Sequence, residues 1–404
     1  MVAFAETSSA PIDDRLAARN ALVLAAAQAL VGANNTVILA TGGIAGAMLA
    51  PDPGLATLPI SLMAVGMWIG TLPVGVMAKA FGRRPALQVG SAFGVLGGLV
   101  LCAAILTGSF FLFLVGTFCG GLQAAAQQSY RFAAADTASQ QFRAKAVALV
   151  LVGGVFAAII GPQLVILTKD AWPPYLFAGT YLAQSACAAL AVGVLAFVRL
   201  PRPAVVPSLG EGAPLATLVR QPRFAVAVGC GVASYAMMNL VMTAAPLAMV
   251  MCQHSVGEAA LGLQWHVIGM FAPSLFTGTL IARLGLRTIL ATGLELIGAA
   301  AAIGVLGVEL WNFWVALGLL GIGWNFAFIG ATTLVTECHG PRERNKVQAL
   351  NDFLIFGAMA LGSFSSGAVL SRYGWTTINE VVFPVVVAAG LLLAWSTLAR
   401  RPVI

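Results

Sequence analysis

Two short stretches carry the side chains best suited to chemistry: "MNLVM" (Met238 to Met242) and, beginning 24 residues after Met242, "HVIGM" (His266 to Met270). Each sets two soft ligand atoms four residues apart. On a helix, residues at that spacing share a face, about 40° apart in azimuth and about 6 Å apart in rise. Thioether sulfur is soft and uncharged and discriminates against Mg²⁺, Ca²⁺ and Mn²⁺. Three methionines and one imidazole favour Cu(I), and Zn²⁺ is disfavoured for lack of thiolate or carboxylate. Neutral ligands also release a monovalent ion readily, which suits passage better than storage. The competing reading is that methionine is an ordinary filler of apolar packing.

The surroundings extend the pattern. Six of the twelve methionines (Met237, Met238, Met242, Met249, Met251, Met270) and two of the three histidines (His254, His266) fall between residues 237 and 270. Met249, Met251, Cys252 and His254 read as an outer mouth and Cys230 as an inner step. For Cys230 the competing reading, a small buried residue, is the stronger of the two.

These residues need elements to hold them in place. The chain has 404 residues, 60% apolar and 9% charged, with a mean hydropathy of +0.94, far outside the range of a water-soluble domain. Apolar runs of about 20 residues, each long enough to cross a ~30 Å hydrocarbon layer as a helix, recur along its length. Twelve are expected, at 20–48, 57–79, 85–107, 109–134, 145–168, 173–198, 223–250, 259–282, 288–308, 310–336, 347–370 and 377–399. Membrane β-strands are excluded, because those would be alternating segments of about ten residues. Counting at 1.5 Å per residue from the cytoplasmic ends places Met238, Met242, His266 and Met270 about 20 to 28 Å above the inner surface, in one layer. Pro246 and Pro273 each follow one of these positions within a turn and interrupt the hydrogen-bond ladder, so kinks are expected in spans 7 and 8.

Charge fixes the expected orientation. With both termini inside, 19 of the 21 Lys and Arg residues fall on the cytoplasmic side, all but Lys169 and Arg372, as the retention of basic residues requires. The net charge of +7 then reflects topology and anionic lipid, and no nucleic-acid partner is needed. The first apolar run is too long for a cleaved signal, and acidic residues precede it. Six scattered cysteines without CxxC spacing argue against a disulfide framework or structural zinc. No P-loop, dinucleotide fingerprint or hydrolytic triad is present, which argues against ATP-driven transport and enzyme activity.

The Pro- and Gly-rich segment 199–222 divides the spans six and six, giving an N-terminal bundle (1–198), a cytoplasmic linker and a C-terminal bundle (223–404) that carries the Met/His layer. "GVMAKAFGRR" (Gly75 to Arg84) after span 2 is echoed by "GTLIARLGLR" (Gly278 to Arg287) after span 8, 203 residues later. This arrangement resembles the major facilitator superfamily. The resemblance implies an all-α fold of two pseudo-symmetric six-helix bundles rocking about a midplane site, with Gly75, Gly82, Arg83 and Arg84 in the gating loop. Where that family usually has Asp, this chain has Lys79.

Within that superfamily, MxxxM on span 7 with HxxxM on span 8 resembles the CcoA-like copper importers. That resemblance implies copper as transported substrate with no permanently bound cofactor, and Met238, Met242, His266 and Met270 as copper-handling residues supported by Cys230 and Cys252. It also implies a bacterial cytoplasmic membrane, supply of copper for cytochrome oxidase assembly (cbb3-type), and partners such as a cytoplasmic copper chaperone or reductase. The rivals are a carrier of an organic solute such as riboflavin or a drug-like compound, with the Met-rich layer as an adaptable apolar wall, and a membrane sensor that binds copper without moving it. Trp68, Tyr130, Trp265 and Trp324, with amides at Gln28, Asn34, Asn35, Gln123, Gln127, Gln128 and Asn325, are candidates to line an organic-solute cavity or to bridge helices. Intramembrane charges are costly; Glu295 and Asp352 are candidates for proton coupling or for structural pairing with a cytoplasmic Arg, and Arg131 and Asp136 lie near the inner end of span 4.

Overall fold

The computed structural model describes residues 14–139, 141–200, 214, 217, 219–340 and 343–398. The chain ends and most of the expected 199–222 linker lie outside these residues. Every regular element among the described residues is helical. The first seven are α1 (Asp14–Leu49), α2 (Leu58–Phe81), α3 (Arg83–Thr107), α4 (Phe110–Gln127), α5 (Tyr130–Asp136), α6 (Arg143–Thr168) and α7 (Ala178–Leu195). The second seven are α8 (Pro222–Met251), α9 (Val256–Phe271), α10 (Ser274–Leu284), α11 (Leu286–Leu306), α12 (Leu310–Thr336), α13 (Arg344–Glu380) and α14 (Val382–Leu398).

Ten stretches are individually long and apolar enough to cross a membrane, and α9 with α10, bent by 46° at their junction, makes an eleventh. The last of the ten, Lys346–Trp395, runs for 50 residues, about 75 Å as one helix, which is far too long for a single crossing. It breaks at Gly374, whose φ of 81° is not helical, so it supplies two spans. The total is the twelve that hydropathy predicts.

Local chemistry sets the breaks. Ser109 caps α4 by accepting from the Leu112 N–H at 3.3 Å. Ser255 and Glu258 form a reciprocal capping box at the start of α9, satisfying two donors that a helix start leaves orphaned. The repeated loops close on glycines in equivalent conformations: Gly82 has φ 93°, ψ 161° and Gly285 has φ 87°, ψ 147°. That region of backbone space is essentially restricted to glycine, so the 203-residue echo in the sequence is an echo in geometry.

The halves α1–α7 and α8–α14 meet at the end remote from these loops. There Ser61 on α2 donates to Ser363 on α13 at 3.1 Å, and Thr243 on α8 lies 3.5 Å from the same hydroxyl. At the loop end, a Cβ added at Gly75, Gly82, Gly278 or Gly285 would meet no heavy atom of a neighbouring element within 4 Å.

Candidate functional site

A cavity of about 230 Å³ lies between the halves. Helices α1, α2, α4, α5 and α6 line one side and α8, α9, α12 and α13 the other. The lining residues follow helical spacing. Gln28, Gly32, Asn35 and Leu39 form one stripe on α1, and Trp324, Phe328 and Thr332 another on α12, as a face turned toward a common space must.

The two sides differ in chemistry. The α8–α13 side is aromatic: Trp324 and Phe328 stack at 4.9 Å and 11°, and Tyr235 meets Trp324, Phe328 and Phe356 edge-on at 5.2, 5.2 and 5.9 Å. Edge-to-face and offset contacts of this kind are favourable by about 0.5–1.5 kcal/mol per pair beyond the area they bury. The opposite side carries amides, with Asn35 Nδ2 donating to Gln127 Oε1 at 2.5 Å and Gln28 and Gln128 beside them. Arg131 and Asp352, one from each half, are the ionic groups among the described lining residues.

The structure separates the two motifs of the sequence. Met238 and Met242 line the cavity together with Asn239. His266 does not line it. It is fully buried, its Nδ1 lies 2.9 Å from the Leu317 carbonyl of α12, and its Nε2 has no partner. Its neighbour Val267 faces the cavity instead. Met270 packs partly buried against the core, and its carbonyl accepts from Asn325 Nδ2 at 2.6 Å. The expected four-ligand layer is therefore split between the cavity wall and a helix–helix contact.

The remaining candidates disperse as well. Cys230 is buried with its thiol directed at the Ala389 carbonyl, 3.7 Å away on α14. Met249 is fully buried, while Met251 is exposed at the last residue of α8. Cys252 is half-buried in the turn that follows α8. His254 Nε2 lies 2.8 Å from the Val308 carbonyl, with the ring edge-on to Phe313. Glu295 is exposed on α11, away from the cavity, whereas Asp352 lines it. Arg83 pairs with Asp136 inside the first half. Of the expected aromatics only Trp324 lines the cavity; Trp68 packs on Phe353 at 5.1 Å, Tyr130 is buried beside Ser91, and Trp265 is exposed. Tyr235, Phe328 and Phe356 were not anticipated, although i, i+4 spacing from Trp324 marks Phe328.

The expected kinks divide too. Pro273 ends α9, and the gap is bridged by Asn325, which donates to the Met270 carbonyl and to Ser274 Oγ at 2.6 Å each and accepts from Thr277 Oγ1 at 2.7 Å. Helix α8 instead continues through Pro246 to Met251.

The profile of the Major Facilitator Superfamily matches residues 24–251 and 227–404, two overlapping matches that together cover almost the whole chain. The chain belongs to the major facilitator superfamily. This facilitator is 48% identical to the riboflavin transporter RfnT of Brucella anthropi over 93% of its own length and 94% of the relative's. It is 30% identical to the uncharacterized MFS-type transporter YdeG of Bacillus subtilis, over 90% and 88%. Among solved structures, the nucleoside transporter NupG aligns over 94% of this chain and 99% of its own with a TM-score of 0.72 at 13% identity, which is likeness of fold. Family and relatives are transporters, and with its twelve apolar spans this facilitator is a multi-pass membrane protein.

The relative in Brucella anthropi corrects the expectation of copper import for cytochrome oxidase assembly. A protein nearly half identical from end to end is a riboflavin transporter, which favours the organic-solute alternative, and membership is supported for the superfamily rather than for the copper-importing subgroup. The physical reason for the misreading is azimuth. Spacing tells which residues share a face but not which way that face points, and on α9 it points at α12.

Proposed function

We propose that this facilitator carries riboflavin, or a closely similar planar heteroaromatic solute with a polyhydroxyl chain, across the bacterial cytoplasmic membrane by alternating access. The observation that carries the reading is the 48% identity to a riboflavin transporter over nearly the full length of both chains. The chemistry of the cavity supports it. An aromatic wall suits the ring system, since flat π-faces in offset or edge contact add to the burial of apolar area. The facing amides offer donors and acceptors to hydroxyl groups that must be satisfied when they leave water. Met238 and Met242 present adaptable thioethers to the ring edge, where sulfur–aromatic contacts are favourable by about 0.3–1.5 kcal/mol. The bias of Lys and Arg toward one side of the spans supports a cytoplasmic position for the loops that carry Arg83, Arg84, Arg283 and Arg287.

The test is uptake of radiolabelled riboflavin by a bacterial strain that cannot make or import it, expressing wild type or Trp324→Ala at matched membrane levels. Wild type should accumulate label and Trp324→Ala should need a substantially higher concentration for half-maximal uptake. Uptake no greater than with empty vector would sink the reading.

A further inference from the structure

The facilitator's cavity holds one guanidinium and one carboxylate among its described lining residues, contributed by opposite halves. Arg131 comes from α5, at the inner end of the first half, and Asp352 from α13 of the second. Both face the same cavity, yet they form no direct ion pair, unlike Arg83 with Asp136 and Arg223 with Glu337. The Arg131 guanidinium lies over the Phe132 ring at 4.9 Å, and its Nε is buried without a hydrogen-bond partner. The Asp352 carboxylate accepts from Asn351 Nδ2 at 3.2 Å and is exposed to the cavity. Each charge is therefore held by its own helix, and the opposite charge stands across the cavity rather than in contact with it.

We infer that Arg131 and Asp352 together set the charge selectivity of transport, admitting uncharged flavins and rejecting their phosphorylated forms. The inference rests on the riboflavin reading and deepens it. An uncharged solute meets one charge of each sign and is indifferent to both. A phosphate ester is attracted by Arg131 but repelled by Asp352, and it sheds its hydration on entering a space otherwise lined by amides and aromatic rings. Removing the carboxylate leaves Arg131 unopposed, a ready partner for phosphate. Removing the guanidinium leaves Asp352 to repel it.

The experiment is a flavin-fluorescence titration of purified protein in nanodiscs with riboflavin and with riboflavin 5′-phosphate, which differ by a single phosphate. Wild type should bind riboflavin at least about tenfold more tightly. In Asp352→Asn that preference should narrow or invert by at least about tenfold, the size of one partly screened charge–charge interaction. In Arg131→Gln it should widen, and the double variant should return toward wild type. Loss of shape alone would shift both flavins equally and leave the ratio fixed, and should Asp352→Asn fail to fold, Arg131→Gln reads the same pair from the other side. Equal binding of the two flavins by wild type, or a ratio unchanged in the folded variants, would overturn the inference while leaving the riboflavin reading intact. Wild type binding neither flavin would overturn that reading, and the inference with it.

Discussion

At the scale of single residues, Met238 and His266 separate binding from folding. Met238 and Met242 line the cavity, so replacing both by leucine keeps volume and removes sulfur. The expected result is riboflavin affinity reduced about three- to tenfold, the worth of one or two sulfur–aromatic contacts, with the thermal midpoint little changed. His266 is fully buried and ties α9 to the Leu317 carbonyl of α12. His266→Ala opens a hole and removes that bond, at a cost of about 1–3 kcal/mol, with riboflavin affinity within about twofold of wild type. Fluorescence titration beside thermal unfolding of the same preparations checks both. A His266→Ala protein of normal stability that no longer binds riboflavin would return the imidazole to the site. The sequence showed that both residues have chemically capable side chains; it did not show that the α9 face bearing His266 meets Leu317 rather than open space, because that depends on how two distant helices rotate against each other.

At the scale of elements, the breaks matter more than the spans. The spans were legible, since a lipid environment makes uninterrupted helix the economical solution for an apolar run, and the predicted limits 57–79, 145–168 and 310–336 lie within a few residues of α2, α6 and α12. Pro273 and Pro246 show where legibility ends, because the same residue type ends one helix and is absorbed by another. The difference is the partner. Asn325 stands opposite Pro273 and bonds three groups at the break. Asn325→Leu is expected to destabilise the protein by about 2 kcal/mol, with the Met270 carbonyl and the Ser274 hydroxyl that lose their donor as the main cost, since Thr277 keeps the Pro273 carbonyl, seen as a lower thermal midpoint and slower transport. Gly82→Ala and Gly285→Ala should cost about 1–3 kcal/mol each, since both demand a conformation that only glycine adopts without strain. Similar losses at the two sites would show that the repeated turns do equivalent work; a neutral substitution at either would show that its turn can relax.

For the whole molecule, alternating access requires that the contacts closing one end be individually weak and collectively sufficient. The closed end fits that requirement. Its hydroxyl cluster of Ser61, Ser363 and Thr243 joins α2, α13 and α8 by contacts of 3.1 and 3.5 Å, each worth about 1 kcal/mol or less between membrane helices, so the end can part without disrupting either bundle. If this end must open in every cycle, covalent closure should stop transport without destroying the site. The Ser61 and Ser363 hydroxyls meet at 3.1 Å across the halves, which makes this pair the place for a cysteine cross-link. In Ser61→Cys/Ser363→Cys, oxidation is expected to abolish riboflavin uptake, while the detergent-purified, oxidised protein still binds riboflavin. Reductant should restore uptake, and each single cysteine variant should be indifferent to oxidant. The six native cysteines provide the control, since wild type treated identically must keep its activity. Full uptake by the oxidised, demonstrably cross-linked double variant would mean that the Ser61–Ser363 contact does not open during the cycle, and that the path of the solute lies elsewhere in the molecule.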